Sequence, residues 1–198
     1  PNERIAAMNF ANSDLETARL LDSQDELASF RSRFVNVEPG MIYLDGNSLG
    51  RLPAASAKQV QQAVQHEWGE RLIRAWNEGW LDYSEHLGGK IAGLIGAQPD
   101  EVLVTDSTSV NLFKLAVAAL QQSPGRTKIV SDEFNFPTDL YILQGVIDLL
   151  GGDTHLELAR SEDGITIPTH AILQAVDNHT DLVCLTHVAF KSAFMYDM

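Results

Sequence analysis

Cysteine is nearly absent: a single one, Cys184, in 198 residues leaves no disulfide framework for a fold to rest on. It lies in the apolar run Leu182–Leu185 and reads as a small buried hydrophobe in a reducing compartment. Basic residues are scarce too, 14 Lys and Arg against 27 Asp and Glu, for a formal charge of −13. A surface that tracks phosphates along nucleic acid needs clustered cations, so the composition argues against a nucleic-acid partner and leaves solubility as the use of the acidity. No apolar run approaches the length of a bilayer span, and the first residues have neither a basic n-region nor an apolar h-region. A soluble, cytoplasmic chain with no membrane partner is expected. Repeats, low-complexity tracts and linkers are missing as well.

The strongest catalytic signatures are also missing. No G-x-G-x-x-G follows a strand, and there is no G-x-x-x-x-G-K-[ST], which disfavours dinucleotide-binding oxidoreductases and P-loop enzymes. Without G-x-S-x-G there is no hydrolase elbow. The six histidines are far apart and never take H-E-x-x-H spacing, so no metal site is expected.

What is present is an α/β pattern. Apolar content of 44% supports a real core. Val102–Leu120 reads as a short strand, a polar turn at Asp106-Ser107-Thr108-Ser109, and a helix with Phe113, Ala116, Val117 and Leu120 on one face. A helix that starts among hydroxyls offers free N–H groups, side-chain donors and a positive dipole end, which together suit a phosphate. The same hydroxyls suit an ordinary cap, and spacing alone favours the cap.

Around this segment, Ser13-x-x-Glu16 and Ser23-x-x-Glu26 have capping-box spacing and predict two helices in an N-terminal arm. Met41–Leu44 predicts a strand running into the turn Asp45-Gly46-Asn47-Ser48, followed by a helix from Ala54 to Trp68 that ends at Gly69. Arg71–Tyr83 is aperiodic and aromatic; Trp76 and Trp80 either anchor a core, the commoner role, or line a pocket. Further helices are expected over 85–95, 137–150 and 168–176, and strands over 127–131, 154–158 and 181–185, with Pro137 at a helix start and Gly151-Gly152 at its end. Strands alternating with crossover helices predict a mainly parallel sheet with helices on its faces. The polar turns after its strands, at 105–109, 134–139 and 186–187, could then share one site beyond the carboxyl ends.

Four segments carry a family resemblance: Tyr43–Gly50 (YLDGNSLG), Thr105–Lys114 (TDSTSVNLFK), Asn135–Tyr141 (NFPTDLY) and Leu185–Val188 (LTHV). In this order they resemble the kynureninases, over a stretch from about Leu20 to the last residue. YLDGNSLG together with NFPTDLY is the specific part. The resemblance implies a pyridoxal 5′-phosphate enzyme of the aspartate-aminotransferase fold type, a three-layer α-β-α domain. It further implies a homodimer that hydrolyses L-kynurenine, or its 3-hydroxy analogue, to anthranilate and L-alanine in tryptophan catabolism. Residues 1–40 would be the helical arm and 41–198 the first part of the cofactor-binding domain.

Carried over by position, Thr108 and Ser109 match residues that hold the cofactor phosphate. Phe136 matches the aromatic on the pyridine ring, although alone it would read as a hydrophobic staple at a helix start. Pro137, Thr138 and Asp139 complete the matching loop, Thr186 matches another cofactor-contacting hydroxyl, and Ser48 and Trp76 match positions near the substrate. An aryl ketone makes an aromatic at Trp76 chemically sensible. The lysine that forms the Schiff base matches none of Lys58, Lys90, Lys114, Lys128 or Lys191, and Lys191 reads as solvated or salt-bridged. That lysine is expected beyond Met198, so no catalytic residue is assigned here and the chain is expected to be an inactive N-terminal half. Two other readings stand beside this one. An aminotransferase or cysteine-desulfurase relative would share the phosphate turn but lack the paired segments. A non-catalytic module would keep the pocket without the lysine.

Overall fold

A computed structural model describes residues 15–35, 38, 40–122 and 125–198, which fall into two units, 1–83 and 84–198. In the first, helix α1 (Leu15–Ser23) is followed by a 3-10 turn, Ala28–Arg33. Ser13 lies outside the described residues. Ser23 does not open a second helix as its spacing predicts: it is the last residue of α1, and its hydroxyl donates to the Leu20 carbonyl at 2.7 Å. Asp25 instead braces the turn that follows, its Oδ1 accepting the Leu27 N–H at 2.9 Å, and the 3-10 turn itself has no side-chain cap. Met41–Leu44 is not a strand, because no partner ladder forms on it among the described residues. The turn after it does form, with Ser48 N–H on the Asp45 carbonyl at 3.2 Å and the Tyr43 hydroxyl donating to the carbonyls of Asp45 and Leu49 at 3.1 and 2.5 Å.

Helix α2 (Ala54–Gln62) passes Gly69, the expected end, by loosening into a π-helical stretch, Ala63–Arg71. It stops where Leu72 turns to φ 54°. Two 3-10 turns, Leu72–Trp76 and Trp80–Asp82, make up the aromatic segment.

The second unit holds the sheet. Helix α3 (Tyr83–Ile95) packs against residues 102–104: the Ser84 hydroxyl donates to the Val104 carbonyl at 2.5 Å. The approach at Gly88 is so close that a Cβ there would lie 1.9 Å from the Val102 carbonyl oxygen. The apolar run Val102–Val104, expected as a strand, joins no ladder among the described residues; its backbone faces α3. Helix α4 (Thr108–Gln122) follows, then β1 (Lys128–Asp132), α5 (Pro137–Leu150), β2 (His155–Ala159), α6 (Thr169–Ala175) and β3 (Thr180–Val183).

Both pairings of this three-stranded sheet are parallel and the order is β2-β1-β3, with Ile129 opposite Leu156 on one side and Leu182 on the other. Every residue of β1 is buried, as expected of the middle strand of a parallel sheet covered on both faces. On one face Ala116 of α4 and Leu143, Val146 and Ile147 of α5 enclose Ile129. On the other, Ile172 of α6 packs with Phe134, Ala159, Ile167, Ala189 and Tyr196. This is the layered α-β-α arrangement with a parallel sheet that the alternating pattern predicts, and its carboxyl edge is where chain segments gather.

Candidate functional site

At the end of β1 the chain must leave the sheet and start α5 within four residues, and buried polar side chains fix how it does so. Asn135, 2% exposed, donates from Nδ2 to the Ser131 hydroxyl at 3.1 Å and accepts the Phe136 N–H at 2.8 Å. Ser131 in turn donates to the Cys184 carbonyl at 2.7 Å, which ties the loop after β1 to the end of β3. Asp132 is fully buried and accepts the Phe134 N–H at 2.8 Å and the Tyr196 hydroxyl at 2.9 Å. Desolvation raises the Asp132 carboxyl above the usual carboxylate range, although its hydrogen bonds act the other way.

The consequence is a defined start for α5. Phe136 sits just before it with half its surface exposed, its ring edge-on to Phe190 at 5.1 Å. Pro137 and Thr138 are exposed in the first turn, and burial pushes the Asp139 carboxyl up. Thr186, past the end of β3, donates its hydroxyl to the Val188 carbonyl at 3.1 Å. The loop 134–139 and Thr186 therefore lie at the same carboxyl edge.

The start of α4 divides its labour between neighbours. Ser107 takes the cap, its Oγ accepting the Val110 N–H at 3.4 Å and its carbonyl the Asn111 N–H at 2.9 Å. Thr108, exposed, and Ser109, half-buried, are left as the first two helical residues, whose N–H groups have no intrahelical acceptor. Asp106, at φ 23°, would repel an anion here, but Lys114 bonds its carboxylate and holds it below the usual range. One helical turn on from Thr108, Leu112 lines a cavity of about 320 Å³ with Leu182–Leu185, so the first turns of α4 lie beside the end of β3. An anion at this helix start and a flat ring against Phe136 are what the edge can accept.

In the first unit Ser48 is exposed on the turn strapped by Tyr43. Trp76 is no core anchor: it is 47% exposed, with Trp80 edge-on at 5.8 Å and 74°. Cys184 is half-buried and free, and burial raises its thiol. Lys191 is exposed, its ammonium 5.7 Å from the Phe190 ring centre. Among the described residues no group of three or more His, Cys, Asp or Glu is placed to hold a metal. Sequence reasoning missed Asp132, Asn135, Tyr196 and the Lys114–Asp106 pair. Asn135 stood inside NFPTDLY and Lys114 eight residues past Asp106, but Asp132 and Tyr196 are 64 residues apart and share no local signal.

A parallel sheet between helices, with a helix start, a half-exposed ring and hydroxyls past its strand ends, defines an α/β domain of the kind whose ligands bind beyond the carboxyl ends of the strands. The chain is similar to kynureninases along about nine-tenths of its length. It is 48% identical over 183 residues to kynureninase of Pseudomonas fluorescens, covering 90% of this chain and 42% of that protein. To kynureninase of Burkholderia mallei (strain SAVP1) it is 46% identical, and to that of Burkholderia pseudomallei (strain 1106a) 45%, each over 188 residues, 92% of this chain and 43% of the relative. The resemblance carried by YLDGNSLG and NFPTDLY is thereby borne out. No family model matches. The chain spans a little over two-fifths of the length of these curated relatives.

Proposed function

We propose that the protein carrying these residues is a pyridoxal 5′-phosphate-dependent hydrolase that converts L-kynurenine, and its 3-hydroxy analogue, to the anthranilate and L-alanine. The observation that carries this reading is 48% and 46% identity with kynureninases over 90% and 92% of the chain. The local chemistry fits the cofactor. Thr108 and Ser109 present hydroxyls and unpaired N–H groups at the start of α4, where a phosphate is favoured. The pairing of Lys114 with Asp106 keeps a bare carboxylate from opposing it. Phe136 offers a half-exposed ring face for the pyridine, and Pro137, Thr138, Asp139 and Thr186 frame it.

When bound, the cofactor supplies the electron sink for breaking a bond at the β-carbon. The residues of this chain bind and orient. Thr108 and Ser109 hold the phosphate, Phe136 fixes the plane of the ring, and Ser48 and Trp76 meet the substrate, Trp76 against its aryl ketone. The lysine that tethers the cofactor belongs, on this reading, to the part of the protein that these residues do not span. Residues 1–40 act as an arm and 41–198 as the first part of the cofactor-binding domain of a cytoplasmic homodimer.

The test is anthranilate release by the full-length protein, loaded with cofactor, from L-kynurenine and from 3-hydroxykynurenine. Stoichiometric anthranilate and alanine are expected. Release of a keto acid without anthranilate would move the protein to the aminotransferases.

A further inference from the structure

The aromatic segment after α2 is held by two clamps that its sequence does not announce. Arg71 and Glu78 pair through two hydrogen bonds, Nε to Oε2 at 2.8 Å and Nη2 to Oε1 at 2.5 Å, which closes the loop from Leu72 to Asn77. Glu67, on the π-helical stretch, reaches across to the far side of that loop. Its Oε2 accepts the Trp80 indole N–H at 2.7 Å, and both its oxygens lie 3.2–3.3 Å from the Tyr83 hydroxyl. Arg71 is already matched by Glu78, so the partners of Glu67 are neutral N–H and O–H donors. Its charge is spent on orientation. Such charge-assisted bonds are the short, directional ones.

What Glu67 orients is the indole that Trp76 packs against. Trp80 and Trp76 meet edge to face at 5.8 Å and 74°, a preferred aromatic geometry. Trp80 is half-buried over a cavity of about 170 Å³ lined by Glu67, Arg71, Ala75 and Glu78, whereas Trp76 is 47% exposed. The backbone around Trp76 is fixed by its 3-10 turn, with the Asn77 and Glu78 N–H groups on the Arg74 and Ala75 carbonyls at 3.1 and 3.2 Å. Those bonds hold the main chain and leave the side-chain ring to its Trp80 neighbour.

We propose that Glu67 is a positioning residue for the aromatic ring of the substrate, acting through the indole N–H of Trp80 on the ring of Trp76. This rests on the reading of Trp76 as the residue that faces an aryl ketone. Glu67 itself touches no reacting atom, so its loss should weaken aryl binding and leave the chemical step in place.

The test uses the full-length, cofactor-loaded protein and the variants Glu67→Ala, Glu67→Gln, Trp80→Phe and Glu67→Ala with Trp80→Phe. The readouts are KM and kcat for L-kynurenine and the equilibrium Kd for anthranilate by calorimetry. Glu67→Ala and Trp80→Phe should each raise KM and Kd about tenfold with kcat within about twofold of the parent, the pattern of a lost binding contact. The double variant should be no worse than either single, because both remove one interaction. Glu67→Gln keeps an acceptor for the indole and should stay within about threefold of the parent. Should Glu67→Ala fail to fold, Trp80→Phe, which preserves the carboxylate and the ring, carries the same expectation. A parent that releases anthranilate while Trp80→Phe or Glu67→Ala matches it in KM and Kd overturns this inference alone. Additive losses in the double variant do the same. A parent that binds no anthranilate overturns the reading of Trp76 as well.

Discussion

Tyr196→Phe removes a single oxygen from the buried end of β1, and its effect should depend on pH. The phenol is 5% exposed, its ring rests edge-on against Phe194 at 5.1 Å, and its hydroxyl donates to Asp132 Oδ1 at 2.9 Å. Phenylalanine keeps the ring and its packing. Asp132 then retains the Phe134 N–H on Oδ1, while Oδ2 has no hydrogen-bond partner among the described residues. Loss of a buried hydrogen bond to a charged group costs about 2 kcal/mol, a few degrees of melting temperature. Burial already raises the Asp132 carboxyl, and the Tyr196 hydroxyl is among the groups that lower it, so the variant raises it further. A carboxyl whose pKa is higher folded than unfolded contributes stability that is full below the ordinary aspartate value, about 3.9, and lost as pH rises through the folded value. The parent and variant should therefore differ most on the alkaline side and converge on acidification, where a protonated Asp132 no longer needs a donor. Thermal and urea unfolding at about pH 8 and at about pH 3.5, below the ordinary aspartate value, give the comparison. An equal difference at both values, or no loss at the higher one, would refute the account of Asp132 as a desolvated carboxylate held by Tyr196.

Thr108→Ala with Ser109→Ala should weaken pyridoxal phosphate retention about tenfold or more, measured by equilibrium dialysis, since charge-assisted bonds to an anion are among the stronger ones; unchanged affinity would remove the phosphate assignment. Lys114→Met leaves Asp106 unpaired beside the same helix start, so cofactor affinity should fall and recover in part with added salt, which screens exposed charges. Trp76→Ala should raise KM for L-kynurenine more than it changes cofactor Kd; full activity on L-kynurenine would end its substrate role. Gly88→Ala drives a methyl into the Val102 carbonyl and should destabilise by about 2 kcal/mol or more. Gly93→Ala, on the same helix with no atom within 4 Å of the new Cβ, should stabilise by about 0.5 kcal/mol. Melting curves of the pair check both.

The parts of the fold legible in the sequence are those specified by local chemistry. Pro137 at the first turn and Gly151 at φ 68° bracket α5 where periodicity and breakers put it. Strands β1, β2 and β3 fall within about two residues of their expected bounds, because apolar runs between turns mark buried parallel strands. Met41–Leu44 and Val102–Val104 have equally suitable runs and form no strand. A strand exists only with a hydrogen-bonded neighbour, and no run of side chains encodes whether one arrives. Ser23 shows the same limit at shorter range. Its spacing to Glu26 fits a capping box, yet Leu20 lies one turn behind and takes the hydroxyl, so α1 ends where a new helix was expected to begin.

The candidate site divides along the same line. Thr108 and Ser109 are candidates on local grounds, as hydroxyls at a helix start. Phe136 and Thr186 are candidates only through the family resemblance, since local chemistry reads one as a staple and the other as a strand-end threonine. The groups that hold these residues in place are not local. Asp132 and Tyr196 meet across 64 residues and Ser131 reaches the Cys184 carbonyl across 53; beside Trp76, Glu67 meets Trp80 across 13. At Ser107 to Ser109 the cap falls on Ser107, so the proposed anion role of Thr108 and Ser109 does not compete with it. Ser107 satisfies the helix, and that leaves the next two hydroxyls and their N–H groups free for an anion. One residue of spacing, invisible to a pattern that treats hydroxyls alike, separates the capping hydroxyl from the two proposed for the phosphate.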